Sequence, residues 1–100
     1  MKYNKLVRDK IPEYIQSKGD AVKIHIAGDK EYWQKLKEKL SEEVLEFNNA
    51  ENMEELADVL EVIDAIVEFK KYSKNELERI KADKALKKGS FRNKIILDES

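Results

Sequence analysis

The chain contains no cysteine, which removes disulfides, thiolate metal sites and cysteine nucleophiles in one stroke. It has one proline and three glycines, so it has few turn signals and no flexible linker to divide it. No apolar run approaches the length that crosses a bilayer, and Met1-Lys2-Tyr3-Asn4-Lys5 is not followed by an apolar signal region. A cytoplasmic protein with no membrane partner is the expectation. Net charge is −1 and the lysines are interleaved with glutamates, so no basic stripe argues for nucleic acid. What the chain does have is charge of both signs, 41% of its residues, alongside an equal share of hydrophobic ones. At 100 residues that mixture fits one small, highly solvated helical domain spanning 1–100.

Periodicity predicts four helices and two short extended pieces. Asp9 can cap a first helix, with Pro12 in its first turn, Ile11, Tyr14 and Ile15 as its stripe, and Gly19 as its C-terminal stop. Val22-Lys23-Ile24-His25-Ile26 alternates apolar with polar and reads as a strand. Asp29 can cap a second helix running to about Phe47, and Asn52 a third carrying Leu56, Leu60, Ile63 and Val67. Ser73-Lys74-Asn75-Glu76 is a capping box for a fourth, closed by Gly89. Lys94-Ile95-Ile96-Leu97 can pair with the first strand, and Phe91 is expected to anchor this tail. The expected class is therefore all-α with a minor two-stranded β element.

Two pairs of acids stand out. Glu43 and Glu46 on the second helix, and Glu55 and Asp58 on the third, are each spaced i, i+3, so each pair leaves one face of its helix. A short connection lets the helices fold back antiparallel and bring the four carboxylates together. At 100° per residue, Trp33, Leu36, Leu40, Val44 and Phe47 gather on one side of the second helix, with Glu43 at the edge of that stripe. Glu55 falls inside the apolar arc of the third helix and Asp58 at its border, while Glu42 points away. Acids aimed into a seam must be paired, protonated or bound to metal, and a hard divalent cation with oxygen ligands is the simplest compensation. Spacing alone leaves ordinary readings open as well. Glu55 stands three residues after Asn52 and fits a capping box, and Lys39 can neutralise Glu43 from one turn away.

The pattern Glu42-Glu43-x-x-Glu46 followed by Glu55-x-x-Asp58 resembles the signature of the all-α nucleoside triphosphate pyrophosphohydrolases, a superfamily that includes MazG proteins, dimeric dUTPases and phosphoribosyl-ATP pyrophosphohydrolases. Lys5-Leu6-Val7-Arg8-Asp9-Lys10-Ile11-Pro12 resembles the opening of a small MazG-like, phosphoribosyl-ATP pyrophosphohydrolase-like subfamily. Lys88-Gly89-Ser90-Phe91 is similar to its closing segment, with Lys88 and Ser90 where arginine and a second glycine are common. The likeness spans nearly the whole chain, although the gap between the acid pairs is short compared with many MazG proteins.

The resemblance implies a four-helix MazG-like architecture. It also implies that Glu43, Glu46, Glu55 and Asp58 hold Mg²⁺, and that water attacks an α- or β-phosphorus to release pyrophosphate and a nucleoside monophosphate. House-cleaning of noncanonical nucleotides is one role; phosphoribosyl-ATP hydrolysis in histidine synthesis is the enzymatic alternative. A non-catalytic helical dimerisation or adaptor module is the other. Arg8, on the resemblance, and Lys84 and Lys88, on the fourth helix, are the expected phosphate contacts. Lys84 shares a face with Leu77 and Ile80, and Lys88, one turn on, can equally serve the helix dipole. Lys10 and Lys39 read as solvated. Trp33 reads as a core or interface residue, Tyr32 as off the stripe, and His25 as a surface residue. The broad apolar arcs of the second and third helices exceed what one chain can cover, so a homodimer or homotetramer is expected to complete the core.

Overall fold

The computed structural model describes residues 4–100. Its four helices are α1 (Ile11–Ser17), α2 (Asp29–Ala50), α3 (Met53–Lys70) and α4 (Lys74–Lys88). The all-α class therefore stands. The two expected strands do not form: among the described residues, 20–28 and 94–100 run without any ladder partner. Alternation supplies a surface to bury but not a partner to pair with, and an isolated two-stranded ribbon is marginal in water. Ile24 and Ile26 are consequently exposed, as are Ile95, Ile96 and Leu97. Phe91 is 99% exposed and anchors nothing within its own chain.

Among the described residues, α2 and α3 make the only extensively packed pair of elements. Their reversal is built without glycine. Glu51 takes a left-handed backbone (φ 56°, ψ 33°), and its N–H donates to the Phe47 carbonyl at 2.7 Å. Asn52 then turns extended, and its side-chain oxygen accepts from the Glu55 N–H at 2.9 Å. A left-handed stop followed at once by an N-cap reverses the chain in two residues, so α3 runs back along α2. The same pairing recurs after α3, where Lys71 is left-handed (φ 59°) and Ser73 Oγ accepts from the Glu76 N–H. At the other helix starts the expected caps move by one residue: Gly28 caps α2, with Asp29 in its first turn, and Lys10 precedes α1.

The core is the α2–α3 seam. Leu36 is fully buried, and Val62 and Val67 are nearly so. At its far end Phe69 packs between two aromatic neighbours, stacked on Trp33 (centroids 5.8 Å, 13°) and edge-on to Tyr32 (5.2 Å, 82°). Trp33 thus fills the structural role expected of it, with Lys37 and Lys70 over its ring. Tyr32 contributes as well, which its position off the stripe did not signal. α4 buries none of its residues. The radius of gyration is 17.9 Å, against about 13 Å for a compact chain of this length. No helix among the described residues is long and apolar enough to cross a membrane.

Candidate metal centre

The hairpin brings acids from both helices to one level, because Glu43, Glu55 and Asp58 all lie within about two helical turns of the reversal. Each offers a carboxylate oxygen, and the three oxygens lie within 4.8 Å of one another. Oxygen ligands stand at about 2.0–2.1 Å from Mg²⁺ and about 2.3–2.6 Å from Ca²⁺, so oxygens grouped this closely are within a small adjustment of sharing one divalent ion. Of the four acids expected to meet at the seam, these three do, and Glu46 does not. Glu43 is 7% exposed and is the single buried charged residue among those described. Its Oε2 and the Oε2 of Glu55 are buried and accept no hydrogen bond from any described group. Buried oxygens without donors carry their full desolvation penalty, so the arrangement is chemically incomplete without a cation or proton between them.

Electrostatics follow the burial. Desolvation pushes the Glu43 carboxyl above the ordinary glutamate value of 4.5; Lys39 pulls it back, and the charge of Glu46 pushes it further up. Lys39 Nζ sits 3.2 Å from Glu43 Oε1 and 3.5 Å from Glu42. Its side chain is only 16% exposed, so Lys39 is a packed partner of the acids and not the solvated lysine expected from sequence. Asp58 Oδ1 accepts from Arg8 Nη2 at 2.7 Å. Glu46 stays on the exposed rim, outside the group of three converging oxygens but close enough to raise Glu43.

A strap formed by residues 4–8 crosses the hairpin beside this centre. Lys35 Nζ donates to the Asn4 carbonyl at 2.8 Å, Lys5 Nζ to Glu42 at 2.9 Å, and Arg8 to Asp58. Glu42 stays outside the converging group, as expected, but is tied to the strap. The Lys5 hydrogen bond holds its carboxyl below the ordinary value, and the same bond raises Lys5. Lys84 and Lys88, both expected near phosphate, are exposed on α4 and do not join the acids within this chain. The stem of Lys84 is not packed. His25 is a surface residue, as expected, with Nε2 at 2.9 Å from Glu31.

The fold and centre define an all-α helical hairpin carrying an inward-facing carboxylate cluster. No family model matches the chain, and no solved structure matches it. An uncharacterized protein of Mycolicibacterium smegmatis is 48% identical over 46 residues, 46% of this chain and 47% of that protein. The chain thus spans about half the length of the curated relative it matches, and that likeness assigns no activity.

Proposed function

We propose that the protein is a cytoplasmic, Mg²⁺-dependent nucleotide pyrophosphohydrolase of the MazG-like type, converting a nucleoside triphosphate and water to a nucleoside monophosphate and pyrophosphate. One observation carries the reading: Glu43, Glu55 and Asp58 converge from two helices, with two of their oxygens buried and unpartnered. The resemblance of the opening segment and of the acid spacing to MazG-like proteins supplies the substrate class.

Glu43, Glu55 and Asp58 are the proposed ligands, with Glu46 completing the set from the rim. When bound, the ion supplies positive charge against the phosphate oxygens, where negative charge grows in the transition state. The chain's own residues do the rest. Lys39 fixes Glu43 through Oε1 and leaves its other oxygen free for the centre. A carboxylate of the cluster orients the attacking water and takes its proton. The water oxygen forms one P–O bond, one anhydride P–O bond breaks, and its electron pair leaves with the departing group. No covalent enzyme intermediate is required.

The test is pyrophosphate release from dNTPs, NTPs and phosphoribosyl-ATP, with and without Mg²⁺. Wild type is expected to release pyrophosphate only with the metal, and Glu55→Gln to fall to the metal-free background. Equal release from both proteins, or release indifferent to Mg²⁺, removes the proposed centre and favours an adaptor role.

Oligomerisation belongs to the same proposal. Leu56, Leu60, Met53 and Val44 on the hairpin, and Leu77, Ile80 and Leu86 on α4, are exposed in the single chain. A helix that buries nothing in its own chain is best explained by burial in another. Lys84 and Lys88 then enter as cations brought to the triphosphate across a subunit seam. Light scattering at micromolar concentration is expected to give the mass of a dimer or tetramer; a monomer at every concentration up to the millimolar range refutes this part.

A further inference from the structure

The acid cluster already holds two cations of its own, and they differ in kind. Lys39 lies on α2 one turn from Glu43, with a side chain only 16% exposed, so its position is set by the helix it belongs to. Arg8 arrives from a segment without regular structure, fifty residues from Asp58 in sequence, and its side chain is 56% exposed. An arginine that is more than half solvated, on a strap held by hydrogen bonds at Asn4 and Lys5, can leave Asp58 without disturbing the hairpin. Charge balance asks it to do so. The three converging carboxylates and Glu46 on the rim outnumber Lys39 and Arg8 by two charges in a partly buried place. A divalent cation taken up in exchange for Arg8 halves that excess.

We infer that Arg8 is a resident stand-in cation: it occupies the Asp58 carboxylate of the metal-free protein, is displaced when the divalent ion enters, and is then free to meet an anion beside the same centre. This rests on the metal reading above. It makes Arg8 a positioning residue that sets the threshold for metal loading, and it predicts that removing a cation-binding protein's own arginine tightens its hold on metal.

Isothermal titration of the full chain with Mn²⁺ alone tests it, comparing wild type, Arg8→Gln and Glu55→Gln at constant ionic strength. The expected result is no binding by Glu55→Gln, and about two- to fivefold tighter binding by Arg8→Gln than by wild type, the range an exposed ion pair is worth. Unchanged or weaker binding by Arg8→Gln, with Glu55→Gln still silent, overturns the displacement and leaves the metal centre intact. Identical titrations of wild type and Glu55→Gln overturn both. A readout that needs no variant at Arg8 is the side-chain Nε–Hε resonance of Arg8 in wild type. It is expected to move to the position of a solvated guanidinium on addition of Mg²⁺, and a resonance that stays in place at saturation overturns the exchange.

Discussion

Replacing Glu43 with glutamine is expected to move stability and activity in opposite directions. The metal-free variant should gain on the order of 1 kcal/mol, the scale of one buried acceptor relieved of its missing partner. Mg²⁺-dependent pyrophosphate release should fall at least about a hundredfold, the scale of losing one electrostatic contact to the reacting centre. The stabilisation follows from the geometry. A glutamine oxygen can keep the Lys39 contact, and its amide can donate into the neighbouring acids, where Glu55 Oε2 has no donor.

The pH dependence gives the same prediction a sign. Burial raises the folded-state pKa of Glu43 above 4.5, so between that value and the raised one the folded chain binds more protons than the unfolded chain. Stability from this group therefore falls as pH rises through that window, and the loss is complete above it. Glu42, held down by Lys5, acts in the opposite sense: its contribution is present above 4.5 and is lost as pH falls through its lowered value. Urea unfolding in EDTA from pH 4 to 8 should show the wild type losing stability above 4.5 and Glu43→Gln lacking that decline. Added Mg²⁺ should then stabilise wild type and leave the variant unmoved. A variant less stable in EDTA yet still protected by Mg²⁺ contradicts the assignment.

The parts of the centre legible in the sequence were those that helical geometry alone controls. Spacing at 100° per residue placed Glu43, Glu55 and Asp58 on the seam, and Asn52 marked where α3 begins. What spacing could not carry was any contact made by the irregular opening segment. Lys5 on Glu42 and Arg8 on Asp58 join residues far apart in the chain through a strap with no periodicity. For that reason the partner of Glu42 was not legible, and Arg8 read only as a candidate for phosphate. The Lys39–Glu43 pair was legible from its i, i+4 spacing, but the cover over the Lys39 side chain was not, because a helical wheel gives direction without burial. The strands failed for a related reason: the Val22–Ile26 alternation and the Lys94–Leu97 run are local signals, whereas a ladder is a non-local event that needs both segments side by side. Glu51 and Lys71 show the same limit at helix ends, stopping α2 and α3 in left-handed conformations where a glycine signal was absent.

Leu36→Ala is expected to remove a large share of the chain's stability and, with it, the metal response. Leu36 is 1% exposed, and among the described residues only Val62 and Val67 join it as buried hydrophobics. Truncating a buried leucine costs about 2–5 kcal/mol, against a total of roughly 5–15 kcal/mol for ordinary domains. A core this thin gives little reason to expect the upper end of that total. Leu36 also precedes Glu43 by one heptad on the same stripe, so loosening it frees α3 to drift from α2 and parts Glu43 from Glu55 and Asp58. Urea unfolding at one fixed protein concentration should show the midpoint falling steeply, with the shift produced by Mg²⁺ shrinking in step. The comparison is Ile26→Ala, 88% exposed on an unpaired segment, which should stay within about 0.5 kcal/mol of wild type. If the two variants unfold alike, the α2–α3 seam is not what holds the carboxylates together, because a hairpin that tolerates an empty Leu36 site cannot owe its spacing to that contact.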